Sequence, residues 1–195
     1  MGYSLDPISD SCYPGTTILI NKFNIRDEER LREVESTVSA IRNTEWLNQP
    51  LVCDFNFDHY KTIHRHLFSD IYDWAGEVRT VNISKKGTQF TVASEIELQA
   101  EKIFLRLRNC NYFKGLSHDA FVEEIVDFYC VTNKLHPFRE GNGRTQRLFL
   151  TQLIRNAGYD IHFNEVDTDL LMIATIQSAQ GVKDLLLHIF SEHII

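Results

Sequence analysis

Apolar residues recur three and four positions apart over most of the chain, the spacing of helices that bury one face. Asp27 is placed to cap a helix running through about Trp46, with Leu31, Val34, Val38 and Ile41 on one side. A second helix is predicted from near Asp58 to Trp74, where Tyr60, Ile63, Leu67, Ile71 and Trp74 form a stripe ended by Gly76. Ser94 and Glu97 have capping-box spacing at the head of a third, continued by Ile96, Ile103, Phe104 and Leu107. Ser117 opens a fourth, carried by Phe121, Ile125 and Phe128 to about His136, because Pro137 disfavours helical geometry in the residue before it. Further helices are predicted from near Arg144 to Gly158 and, one or two, between Asp167 and His193. Two stretches break this pattern. Residues 1–22 read as an extended arm with turns at Pro7 and Pro14-Gly15. Residues 78–92 alternate apolar with polar around Lys85-Lys86-Gly87, predicting a hairpin that is marginal by itself and must lean on the helices. The expected fold is mainly α, a helical bundle with one short β-hairpin.

Composition narrows this without changing it. At 195 residues and 43% hydrophobic, the chain suits one domain, here residues 23–195 behind the arm. Cys12, Cys53, Cys110 and Cys130 are scattered with no C-x-x-C pair, which points to free thiols in a reducing compartment. The N-terminal stretch has no secretion-signal pattern and no apolar run approaches the roughly 20 residues of a membrane span, so a protein of the cytoplasm with no membrane partner is expected. A net charge of −7 argues against direct nucleic-acid binding, which needs clustered cations.

One segment carries chemistry: His136-Pro137-Phe138-Arg139-Glu140-Gly141-Asn142-Gly143-Arg144-Thr145-Gln146-Arg147. His136, at a helix end, has the intrinsic pKa near neutrality that a general base needs. Glu140 offers the hard oxygen that holds magnesium beside phosphates. Gly141 and Gly143 can take positive φ, so the N–H groups from Gly141 to Arg144 can form an anion nest at the positive end of the next helix. Arg144 and Arg147 share one face of that helix and can fork onto phosphate oxygens, and Asn142 adds an amide donor. Taken singly, each has an ordinary explanation as a cap, a turn or a solvated charge. Together they describe a site for phosphate transfer, with Phe138 as a core residue pinning the loop. Walker, kinase and H-E-x-x-H patterns are absent, and His64 and His66, two apart on a helix, point to different sides.

The segment matches, at every defined position, the H-P-F-x-[D/E]-G-N-G-R-x-x-R signature of the Fic family, and the stretch from Leu67 to Phe90 resembles the helix and flap hairpin that precede it there. The resemblance implies a Fic-fold helical bundle and an adenylyltransferase moving AMP from ATP, with Mg2+, to a Tyr, Thr or Ser hydroxyl of a target protein. It implies that His136 is the base, that Glu140 holds the magnesium, that Gly141, Asn142, Gly143 and Arg144 cradle phosphates, and that Arg147 reaches the outermost one. Lys85 and Lys86 fall at the flap tip as nucleotide contacts, and the flap would take the target's extended segment by strand addition. Gly143 differs from the Lys of the Doc branch, favouring AMP transfer over kinase activity. The family's self-inhibiting motif, [S/T]-x-x-x-E-[G/N], is missing, since the one Glu followed by Gly or Asn is Glu140 and His136 stands four before it. The resemblance therefore implies a bacterial toxin whose separate small antitoxin supplies a Glu to Arg147. Two other readings remain open: a nucleotide-binding interaction module without turnover, and a transferase of another nucleotide such as UMP.

Overall fold

The computed structural model describes residues 4–5, 11–50, 54–85 and 87–195. Among these residues are seven α-helices: α1 (Glu28–Leu47), α2 (Phe57–Phe68), α3 (Ile96–Asn109), α4 (His118–Leu135), α5 (Asn142–Asn156), α6 (Thr168–Ala179) and α7 (Asp184–His193). Between α2 and α3 lie two short strands, β2 (Ile83–Lys85) and β3 (Thr88–Gln89), and the arm contributes β1 (Ser4–Leu5). No helix among the described residues is long and apolar enough to cross a membrane. Cys12, Cys110 and Cys130 are free, while Cys53, like Pro7, lies outside the described residues.

Helix α5 is the axis of the bundle. Ten of its residues are buried, and it packs against α2 on one side and α4 on the other. Phe149 sits at the middle, its ring 5.3 to 5.8 Å from those of Tyr60, Phe104, Phe55 and Phe128. Aromatic edges and faces at these separations fill the core to near-crystalline density and attract beyond their buried area. Helix α1 closes over α2, α3 lies on α4, and α6 and α7 cover the remaining side of α4.

Several elements differ from the sequence expectation. Helix α2 stops at Phe68, six residues before Trp74. The chain folds back there, with the N–H groups of Ile71 and Tyr72 both on the Phe68 carbonyl, so that Gly76 returns beside Arg65 and donates its N–H to His64 Nδ1 at 2.8 Å. A continuous helix would have carried Gly76 away from His64; Ile71 and Tyr72 are buried all the same, from a turn. The inward face of α1 is Leu31, Glu35 and Ser39; Val34 and Val38 are half-buried and Ile41 is 56% exposed. Ser94 is no capping box: it lies in a 3-10 turn, Ala93–Glu95, whose first N–H bonds Asn82 Oδ1, and Glu95 precedes α3 without a side-chain bond. The hairpin is shorter than residues 78–92 and does not stand alone, since β1 pairs antiparallel with β2 (Ser4 opposite Ser84) and gives the order β1-β2-β3. Asp27 caps α1 by accepting from Arg30 N, and α4 ends at His136, as expected.

Candidate active site

The signature loop joins α4 to α5 and is buried almost throughout. His136 is the residue that ends α4, in left-handed geometry at φ 43°, with its N–H on the Thr132 carbonyl. Its Nδ1 lies 3.1 Å from the Asn133 carbonyl. A carbonyl can only accept, so Nδ1 carries the proton and Nε2 keeps the lone pair. Burial, with Arg79 and Lys85 close by, pushes the His136 pKa down to about 3 despite the Asn133 bond. The ring is neutral at physiological pH and stacks on Phe90 at 3.7 Å between centroids, a contact that joins it to the foot of the flap.

Helix α5 starts at Asn142, two residues earlier than expected, behind Gly141 at φ 78°. Its first backbone bond runs from Thr145 N to Gly141 O, so the N–H groups of Asn142, Gly143 and Arg144 precede the intrahelical ladder, at the end of a helix whose dipole favours negative charge. Gly141 has no substitute here, because a Cβ would stand 2.4 Å from the Phe68 ring. Gly143 is helical, contrary to the expected positive φ; its smallness serves Arg147, whose Nη1 would be 3.3 Å from a Cβ. Asn142 also has a different task from the one expected. Its side chain accepts from Phe138 N at 2.8 Å and donates to Phe138 O at 2.7 Å, lacing the loop shut, so its contribution to an anion is the backbone N–H. Phe138 is fully buried against His64, at 3.8 Å, as expected of a pin.

Arg147 borders a cavity of about 290 Å3 that also takes in His136, Gly143 and Lys85, with Leu171, Met172 and Ile176 of α6 as an apolar wall. Its guanidinium makes no ion pair among the described residues, and burial draws its pKa below the ordinary arginine value. Arg144 is 2.9 Å from Glu35 Oε2 and 3.5 Å from Glu140 Oε1, and stands over the Phe68 ring. Glu140 faces a second cavity of about 340 Å3, across the loop, with Lys85, Arg139 and Arg144. No group of three or more His, Cys, Asp or Glu side chains able to hold a metal occurs among the described residues. Glu140 Oε1 also accepts the Gly141 N–H at 2.8 Å. Lys86 lies outside the described residues.

Three residues at the site escaped the sequence reading. Arg79, 5% exposed, donates from Nε to the His136 carbonyl, from Nη1 to Val81 O and from Nη2 to Thr91 O, so one side chain ties both feet of the flap to the loop. His64 is fully buried and accepts from Gly76 N–H, which leaves its Nε2–H to donate to the Glu140 carbonyl at 3.0 Å. Glu35 reaches Arg144 from 109 positions away. Both ring nitrogens of His64 are thus engaged by backbone groups, and His66 Nε2 meets the Arg42 carbonyl at 3.0 Å.

The Fic/DOC family profile matches residues 54–154. "Protein adenylyltransferase VbhT" of Bartonella schoenbuchensis is 39% identical over 94% of this chain, which spans 38% of that protein. "Probable protein adenylyltransferase y4lH" of Sinorhizobium fredii is 38% identical, with 90% of this chain and 89% of the relative covered. The crystal structure of the Bartonella tribocorum protein BepC with bound AMPPNP superposes with a TM-score of 0.90 at 27% identity, covering 95% of this chain and 96% of that one. A Bartonella quintana Fic domain with bound ADP gives the same TM-score and identity over 95% and 94%. This chain belongs to the Fic/DOC family. Its enzyme class is that of the relatives it resembles along nearly its whole length, the protein adenylyltransferases, which bind ATP.

Proposed function

We propose that this chain, a single Fic domain over residues 23–195 behind an arm at 1–22, transfers AMP from ATP to a Tyr, Thr or Ser hydroxyl of a target protein. The target oxygen attacks the α-phosphorus while the bond from that phosphorus to the bridging oxygen of the β-phosphate breaks, and pyrophosphate leaves. The hydroxyl proton goes to His136 Nε2. The observation that carries this is the His136 tautomer, a lone-pair nitrogen fixed in orientation by Asn133 and set beside an anion-binding helix start. The N–H groups of Asn142, Gly143 and Arg144 hold phosphate oxygens, Arg147 takes the outermost phosphate, and Lys85, on the rim of both cavities, approaches the nucleotide. Lys86 joins it by family analogy. Glu140 would hold Mg2+, and the ion would supply charge neutralisation at the phosphates.

The target's extended segment lies along the flap. A hollow of about 650 Å3 beside β3, lined by Gly87, Thr88, Gln89, Asn133 and Lys134, has room for it, and β1 already occupies the β2 edge. Regulation falls to a separate small antitoxin that brings a Glu to Arg147. Support comes from a guanidinium that makes no ion pair among the described residues and from a groove of about 540 Å3 between α1 and α5 that opens on Arg144, Arg147 and Arg155. The chain acts, on this reading, as a toxin in the bacterial cytoplasm. ATP labelled on the α-phosphate should transfer label to lysate protein, whereas ATP labelled on the γ-phosphate should not; transfer of the γ label alone would make the chain a kinase and sink the proposal. Transfer of label from UTP labelled on its α-phosphate, in preference to ATP, would move the transferred group to UMP.

A further inference from the structure

We propose that Glu35, on α1 and outside the stretch matched by the family profile, is a positioning residue for the transfer reaction that fixes Arg144 for phosphate; this rests on the reading of Arg144 given above. Leu31, Glu35 and Ser39 follow one another at four-residue spacing, so one face of α1 buries an apolar and two polar side chains, and the two polar ones meet Arg144 of α5. A glutamate on such a face is costly to bury unless paired. Glu35 is 7% exposed and both of its oxygens are used: Oε2 takes Arg144 Nη2 at 2.9 Å, and Oε1 takes the Tyr72 hydroxyl. Ser39 Oγ lies 3.3 Å from Arg144 Nη1, and the Phe68 ring lies under the guanidinium, 4.7 Å from its carbon.

Four contacts from three elements thus define one arginine. They leave Nε–H and the second Nη1–H of Arg144 with no protein partner among the described residues, available to phosphate oxygens. The rotamer freedom of a long side chain is already spent before the nucleotide arrives, which is what preorganisation contributes to binding. Glu35 has a second effect through Glu140. Arg144 Nη2 serves both carboxylates, lying 2.9 Å from Glu35 and 3.5 Å from Glu140, so Glu35 holds the guanidinium back from Glu140. Without it the guanidinium would close on Glu140 and neutralise the carboxylate proposed for the cation.

The test compares wild type, Glu35→Gln and Glu35→Ala in three readouts: thermal unfolding by circular dichroism, the Kd for ATP by calorimetry in magnesium-free buffer, and KM for ATP against kcat in labelling of a lysate. Glu35→Gln keeps shape and one acceptor, so it remains informative even where the Ala protein does not fold. The expected result is a Kd and a KM raised about threefold in Glu35→Gln and about tenfold or more in Glu35→Ala, with kcat changed less than KM. ATP affinity unchanged or tightened in the folded Gln protein would overturn the inference, as would a loss confined to thermal stability. Wild type that labels nothing would instead refute the transferase reading, and the calorimetric comparison would still decide the role of Glu35.

Discussion

At the scale of single residues, the site depends on a few positions where geometry admits one side chain. Gly141 combines left-handed backbone with a 2.4 Å approach of its missing Cβ to Phe68. Gly141→Ala should destabilise the protein by about 1–2 kcal/mol from the backbone alone, with the ring clash added. The loss should appear as a lower midpoint in urea unfolding, accompanied by loss of nucleotide binding as the α5 start is pushed aside; an unaltered midpoint would mean Phe68 yields. What was legible in the sequence at this scale was the loop itself, since base, carboxylate, glycines and arginines lie within twelve residues. The partners of those groups were not legible. Glu35, His64 and Arg79 act on the loop across 57 to 109 positions, and only the packing of α1, α2 and the flap foot brings them there. The side chain of Asn142 was misread for the same reason, because its carboxamide serves a backbone that had not yet been folded.

At the scale of elements, Arg79 is the side chain that bonds both feet of the flap and the signature loop at once. Arg79 meets carbonyls at His136, Val81 and Thr91, and its own N–H meets Pro137 O. Phe90 then lies on the His136 ring. Replacing Arg79 with Met keeps the buried stem and removes three donors, so the flap foot should loosen. Hydrogen exchange should rise at Thr91, whose N–H bonds the Lys134 carbonyl, and kcat should fall tenfold or more. Unchanged exchange at Thr91 would show that the sheet holds the flap without Arg79. The bounds of α1 and α4 were legible from the Asp27 cap and from Pro137, although the inward face of α1 proved to be Leu31, Glu35 and Ser39 and Ser117 makes no side-chain cap bond. The reading failed at the end of α2, where Ile71 and Trp74 continue the stripe in sequence while the chain has already turned back to deliver Gly76 to His64. Period alone records which side chains go inside, and a turn can bury them as well as a helix can.

At the scale of the whole molecule, two buried histidines set how the protein responds to acid. Burial pushes His64 down to about 3, opposed by its Glu140 bond and assisted by Arg144 and Arg65; His136 is pushed equally low. Both fall below the value of about 6.5 expected in the unfolded chain, so the unfolded state takes up protons first as pH falls. Their contribution to stability is complete above about 6.5 and drains away as pH drops toward about 3. The urea midpoint should therefore decline through that window, and His64→Gln should flatten the decline by removing one of the two groups. A midpoint independent of pH there would contradict the neutral, doubly bonded state assigned to His64.

The central claim is AMP transfer with His136 as the base, and peptide mass spectrometry of a cell lysate incubated with ATP tests it most directly. With the wild-type chain, peptides from a target should carry an added AMP on Tyr, Thr or Ser; with His136→Ala, folded and still binding ATP, the modification should fall by at least a hundredfold. Equal modification by the two proteins, or none by the wild type once any inhibitor has been removed, would contradict the account.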